Sequence, residues 1–156
     1  RNAGYRAIES LRLEKGYRVW SRDVTPDDTP LEAGLGWAVK LNTDIDFQGR
    51  AALLERQREG KLSKRFAQFI VADPEVDLLG RETIYRNGER VGWLSSGGFG
   101  HTLGRSVGLG YVRHAAGVDR EFLSTGTYEL EVAGERVPCS LSLRPAYDPD
   151  MVRVRA

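Results

Sequence analysis

Cysteine is nearly absent from this 156-residue chain, in which Cys139 stands alone. That excludes an internal disulfide and any metal site built on several thiolates. Cys139 sits in the strand-like stretch Val137-Pro-Cys-Ser-Leu141, where a buried, structural thiol is expected. Histidine is almost as scarce, and His101 and His114 carry no surrounding pattern of acids that would make a metal site. Lysine is rare too, with four residues against 19 arginines. Those arginines are scattered among 22 acids for a net charge of +1, which excludes nucleic acid or an anionic membrane as the main partner. No apolar run approaches the ~18–20 residues needed to cross a bilayer, and no signal peptide is visible. A soluble protein of a reducing compartment is expected, in a bacterial cytoplasm or the mitochondrial matrix.

What is present is ordinary for a globular chain: 40% hydrophobic and 29% charged residues. The length suffices for one ordinary domain or two small ones with a buried core. Gly4 to Gly16 reads as a helix. Ala7, Ile8 and Leu11 form an apolar stripe at three- and four-residue spacing, and Tyr5, Glu9 and Arg12 share a second face. Gly16 stops the helix, because glycine reaches left-handed backbone angles at no steric cost. Glu14 then falls in the last turn, near the negative end of the helix dipole, where a carboxylate is unfavourable without a partner. Either a surface cation such as Arg18 or Lys15 supplies that partner, or Glu14 faces a ligand. An ionised carboxylate offers two acceptors and no donor, which suits a flat edge with two adjacent N–H groups, such as that of a pterin.

Further along, Tyr17–Val24 predicts a short strand. Thr29-Pro-Leu-Glu32 has the form of a capping box. Leu35, Trp37, Val39 and Leu41 alternate as in a half-buried strand, and a second helix runs to about Glu59 with Ala52, Leu53 and Leu54 facing inward. Near Lys61 the period switches to two. Strands are expected at Arg65–Ala72, Glu82–Arg86, Glu89–Ser95, Ser106–Val112, Tyr128–Val132 and Glu135–Leu143, with hairpins at Asn87-Gly88 and Ala133-Gly134. The fold expected is α+β, with a partial α+β layer in residues 1–60, a hinge at Lys61–Ser63, and a small antiparallel β-barrel in residues 61–156.

The segment Gly4-Tyr-Arg-Ala-Ile-Glu-Ser-Leu-Arg-Leu-Glu-Lys-Gly-Tyr17 resembles the folate-site segment of the sarcosine and dimethylglycine dehydrogenases. More broadly it is similar to the aminomethyltransferase (T-protein) of the glycine cleavage system. The likeness continues through Thr29–Trp37, Asp46–Leu53, Leu103-Gly104 and Gly108–Val112, in order and over nearly the whole chain. The resemblance implies a T-protein-like folate domain followed by a C-terminal barrel. It also implies that tetrahydrofolate is contacted by Tyr5, Arg12, Leu13 and Glu14, with Glu14 on the pterin. The family's catalytic Asp and the FAD domain would lie upstream of Arg1, so the chain is expected to be a C-terminal fragment whose partners are the missing N-terminal domains. The reaction implied is passage of a one-carbon unit from an N-methyl amine to tetrahydrofolate, with no catalytic residue in this chain. A stand-alone aminomethyltransferase, another folate-dependent demethylase, or a folate-binding iron–sulfur maintenance protein are the alternatives. The last group's Lys-Gly-Cys-Tyr signature is absent. Two departures stand out. The T-protein arginine that follows the position of Trp37 is missing from Ala38–Thr43, and for a C-terminal Tyr only Tyr147 is near.

The remaining candidates carry less. Ser95–Gly104 is glycine-rich, but it lacks the Gly-Lys-Ser/Thr ending of a phosphate loop and reads as a turn. No Ser-His or Cys-His pairing suggests a nucleophile. Asp27-Asp28 and Asp148…Asp150 lie in turn-like sequence, and Trp20, Trp37 and Trp93 are expected in the core or at a domain interface.

Overall fold

Period-two alternation in the last two thirds of the chain is realised as a closed six-strand barrel. The structure, a computed structural model, describes residues 2–153 and 155; Arg1, where the chain opens, lies outside them. The strands are β1 (Leu62–Val71), β2 (Thr83–Arg86), β3 (Glu89–Gly100), β4 (Arg105–Val118), β5 (Tyr128–Val132) and β6 (Glu135–Ser142). They run in the order β1-β4-β3-β2-β5-β6, every pairing is antiparallel, and β6 returns to β1, so no edge is left open. Both hairpins fall where the sequence places them. Asn87 and Gly88 have φ of 51° and 84°, and Ala133 and Gly134 have 51° and 87°, the paired positive angles of the tight turn that matches strand twist.

Three strands, β1, β3 and β4, are longer than expected. β3 continues through the glycine-rich run, which pairs with β4 residue by residue: Gly97 faces Gly108, Gly98 faces Val107 and Gly100 faces Arg105. The stretch read as a turn is thus mostly strand, and only residues 101–104 turn. A helix absent from the sequence expectation, α3 (Arg120–Thr125), packs Leu123 into the barrel core. Its N-cap is Asp119, whose side chain accepts a hydrogen bond from Phe122 N at 2.8 Å. Asp119→Ala is expected to lower stability by about 1 kcal/mol, the usual worth of such a cap, readable as a lower urea midpoint.

Alternate residues sort to the two faces of the barrel wall. Ala67, Phe69 and Val71 of β1 point inward with Ile84, Leu94, Val112 and Leu130, whereas Phe66 of β1 and Val107, Leu109 and Tyr111 of β4 point outward into a second cluster. That second cluster is where the first sixty residues attach, through Leu13.

The first sixty residues depart most from expectation. They hold α1 (Tyr5–Lys15), α2 (Arg50–Glu59) and one 3-10 turn at Gly36–Ala38. Tyr17–Val24 is a turn closed by a single bridge between Trp20 and Val24, and Trp37, expected half-buried, is 82% exposed. Neither alternating segment finds a neighbouring strand, so neither pattern becomes a sheet. On α2 Ala52 is exposed while Leu53 and Leu54 are only half-buried. Trp20 and Trp93 are exposed as well. The capping box does form: Thr29 N and Oγ1 donate to Glu32 Oε2 at 3.0 and 2.8 Å, although turns rather than an α-helix follow.

The expected hinge at Lys61–Ser63 is largely the start of β1, because Leu62 already pairs with Val118. The junction is also cross-tied. Phe66 N donates to Glu32 O at 2.9 Å, Ser63 Oγ to Glu32 Oε1 at 3.1 Å, and Lys64 Nζ meets Asp28 Oδ1 at 2.6 Å.

Candidate functional site

Helix α1 ends as its sequence predicts. Gly16 has φ 67°, its N–H bonds Leu13 O, and Tyr17 N bonds Arg12 O at 2.9 Å, which is a Schellman cap. The remaining carbonyls of the last turn are met by the barrel and the C-terminal segment. Gln68 Nε2 donates to Leu13 O at 2.6 Å, and Tyr147 N donates to Glu14 O at 3.1 Å. Lys15 Nζ, in the last turn, pairs with Asp148 at 3.1 Å, with both side chains nearly inaccessible. Tyr147 therefore sits at the C-terminal end of α1, held there by its backbone.

The face that α1 buries is the polar one. Ser10, Arg12, Leu13, Glu14 and Lys15 are buried, while Tyr5, Ile8 and Leu11 are exposed at 70%, 54% and 58%. The apolar stripe of Ala7, Ile8 and Leu11 points away from the barrel and is left uncovered in this chain. What admits the helix is the glycine run of β3. A Cβ on Gly98 would lie 3.0 Å from Leu13 Cδ1, and one on Gly100 would lie 3.0 Å from Glu14 Cγ and Oε1. Glycine there is a requirement of close packing, not of turning.

Arg12 is 7% exposed and is the centre of a buried ion cluster. Its Nε and Nη2 donate to Glu9 Oε2 at 3.1 and 2.7 Å, Nη1 donates to Asp23 Oδ2 at 2.9 Å and to Tyr17 O at 3.4 Å, and Nη2 also donates to Ser96 Oγ at 3.0 Å. A guanidinium has five N–H groups, so none remains for a ligand. Asp23, 1% exposed, accepts in addition from Val19 N at 2.9 Å and from the hydroxyls of Ser95 and Ser96. The hydrogen bond from Arg12 holds the Glu9 carboxyl below its ordinary range. Arg12 thus fastens α1, the turn at residues 19–24 and β3 into one unit, a part the sequence did not reveal. Ser95-Ser96 at the head of the glycine run is the signal that was available.

Glu14 is 1% exposed. Its Oε1 accepts from Thr102 N at 2.6 Å and from Leu103 N at 2.9 Å, at the tip of the β3–β4 hairpin. Two backbone donors offset the unfavourable position at the helix C-terminus, so the partner is neither of the surface cations. Among the described residues no donor reaches Oε2. The bidentate presentation expected for a pterin edge is accordingly reduced to one oxygen.

Tyr5 and Leu13 line an open groove of about 470 Å³ with Arg6, Glu9, Arg22, Phe99 and His101. His101 rests edge-on against Phe99, at 5.2 Å between ring centroids. The four residues singled out from the sequence therefore lie on one helix in three settings. Tyr5 stands over the groove with Leu13 as its floor, Arg12 lies inside the ion cluster, and Glu14 sits beneath the hairpin tip.

Other candidates are quiet. Burial pushes the Cys139 thiol up to about 12, which keeps it protonated and inert. Among the described residues no group of three or more His, Cys, Asp or Glu could hold a metal ion, and no helix is long and apolar enough to cross a membrane.

A closed antiparallel barrel with a helix seated on its glycine-lined outer wall defines the class of protein. Residues 64–148 match the Glycine cleavage T-protein C-terminal barrel domain, and residues 1–43 match the GCVT N-terminal domain. The chain belongs to the glycine cleavage T-protein family. It is 44% identical over 156 residues to the mitochondrial sarcosine dehydrogenase of Mus musculus, covering 99% of this chain and 17% of that protein. It is 41% identical over 156 residues to the mitochondrial pyruvate dehydrogenase phosphatase regulatory subunit of Mus musculus, covering 93% of this chain and 18% of that protein. Glycine cleavage system aminomethyltransferase T from Bartonella henselae superposes with a TM-score of 0.75 at 31% identity, covering 92% of this chain and 38% of that one. The chain spans less than a fifth of the length of the two curated relatives.

Proposed function

We propose that this chain is the C-terminal part of a folate-dependent, flavin-linked N-methyl amine dehydrogenase of the sarcosine or dimethylglycine type, in which α1 supplies the acceptor for the pterin ring of tetrahydrofolate. The observation that supports this most is Glu14: a buried carboxylate with one oxygen pinned by two backbone N–H groups and the other unclaimed. An oxygen so fixed is oriented before a ligand arrives, which lowers the ordering cost of binding. Arg12 takes the part of a positioning residue, because all its donors are spent on protein. Tetrahydrofolate would accept the one-carbon unit, and FAD would belong to a domain preceding this one.

The outward apolar stripe of α1, together with Tyr17 and Trp20, fits a surface that further sequence of the same polypeptide would cover. Calorimetry with tetrahydrofolate separates the possibilities. The chain joined to a T-protein-like N-terminal half should bind saturably at micromolar ligand or tighter, an order-of-magnitude scale, and the chain alone should not. Absence of binding by the joined protein would refute the folate proposal, and tight one-to-one binding by the chain alone would refute the idea of a shared pocket.

A further inference from the structure

Two arginines outside the α1 site converge with no counter-ion among the described residues. Arg18, after the cap of α1, donates through Nε to Ala33 O at 3.1 Å and through Nη1 to Gly16 O at 2.7 Å; Arg65 of β1 donates through Nη1 to Leu31 O. The point that a Cβ on Gly34 would occupy lies 2.9 Å from Arg18 Nη2 and 3.7 Å from Arg65 Nη2. Gly34 has φ +70°, so both its backbone angle and its missing side chain make room for the pair. Among the described residues neither guanidinium meets a carboxylate within salt-bridge distance. The carboxylate nearest in effect to Arg18 is Asp23, and its oxygens are already engaged by Arg12, Val19, Ser95 and Ser96.

Both side chains are half-buried, and among the described residues the hydrogen-bond acceptors they meet are backbone carbonyls; Arg18 also lies over the Phe66 ring, 4.8 Å from its centroid. Two of the five N–H groups of Arg18 and one of the five of Arg65 are spent in this way, which leaves Nη2 of each free. Burial lowers the pKa of both, and for Arg18 the neighbouring Arg65 lowers it further. Two like charges held together and partly stripped of water are stabilised by an anion between them. Gly34 and Arg65 line a groove of about 410 Å³ whose other walls include Leu31, Trp37 and Arg56, while Arg18, which reaches Gly34 through Nη2, itself lines a separate cavity with Phe66 and Gln68. Arg56 is already paired with Glu59, at 3.0 Å.

We propose that Arg18 and Arg65 form an oxyanion site at Gly34, open to the groove beside Trp37, that takes a small carboxylate or phosphate. Guanidinium groups bind both through paired N–H···O contacts, so the shared chemistry is a compact oxyanion with two or three acceptor oxygens. The site is independent of Glu14 and of the pterin proposal.

The test uses the 156-residue chain and two probes, inorganic phosphate and glutarate, each titrated calorimetrically against a sodium chloride control of equal ionic strength. Saturable binding of at least one probe above the chloride control is expected, and the tighter of the two identifies the source of the oxyanion. Arg65→Gln, which removes the charge and the guanidinium fork, should weaken that binding about tenfold or more, and Arg65→Lys, which keeps the charge, should restore part of it. Glu14→Gln should leave it unchanged. The proposal is overturned if neither probe exceeds the chloride control, or if Arg65→Gln binds as tightly as the unaltered chain. Arg18→Gln is the riskier variant, since it also loses contacts to Gly16 and Ala33, and the Arg65 pair carries the decision if it fails to fold.

Discussion

Arg12→Ala is expected to cost about 3 kcal/mol or more of folding stability, at the scale of breaking a buried ion pair from one side. The reason is what the alanine leaves behind. Asp23 would keep Val19 N and the two serine hydroxyls but lose the one cation that pairs with it among the described residues, at 1% exposure. Glu9 would lose the contact that holds its pKa down, and Ser96 would lose a donor. Arg12→Lys should recover only part, because one ammonium cannot reach Glu9, Asp23 and Ser96 together as a planar fork does. Replacing Arg12 and Asp23 together by apolar residues of similar volume should cost far less than either single change, since no fully buried charge is left alone and the partly exposed Glu9 keeps Arg22 at 3.7 Å. Urea denaturation of these variants beside the unaltered chain measures this, and a loss below ~1 kcal/mol for Arg12→Ala would show that the cluster relaxes around water instead.

The same cluster explains why sequence periodicity placed α1 and its apolar stripe but did not reveal that the polar face is the buried one. Spacing tells which residues share a face, not which face is covered. Here three charged side chains and a serine lie inward because each has a partner: Asp23 for Arg12, the hairpin amides for Glu14, Asp148 for Lys15, and Phe99 O for Ser10. All four partners are remote in sequence or on the backbone, so no local pattern announces them. The hairpins at Asn87-Gly88 and Ala133-Gly134 were legible because their cause is local, a pair of positive φ angles. Alternation at Tyr17–Val24 and Leu35–Leu41 misled because a strand needs a neighbour, and those segments have none. The glycine run misled for a third reason. Glycine usually weakens strands, but β3 accepts it so that Leu13 and Glu14 can come within van der Waals reach of its backbone. For the site, resemblance named Tyr5, Arg12, Leu13 and Glu14, and only the fold showed that they divide among three settings.

Glu14 is the residue on which the functional proposal rests, and Glu14→Gln is the substitution that isolates it. Glutamine keeps one carbonyl oxygen, and the amides of Thr102 and Leu103 fix its orientation, since the opposite flip would set N–H against N–H. The hairpin contact therefore survives, and stability should change by less than about 1 kcal/mol. The unclaimed position, by contrast, turns from an anionic acceptor into an –NH₂ donor aimed at the N–H donors of a pterin. Losing a charge-assisted hydrogen bond and gaining a donor clash should weaken tetrahydrofolate binding by about 2 kcal/mol or more, roughly thirtyfold. Glu14→Ala cannot make this distinction, because it also strands the two hairpin amides at a cost of about 1–3 kcal/mol each. The comparison belongs in the chain joined to its N-terminal half, with calorimetry for tetrahydrofolate and thermal unfolding measured on the same samples. Unchanged affinity in a folded Glu14→Gln protein would confine Glu14 to fastening the hairpin and would remove the pterin assignment.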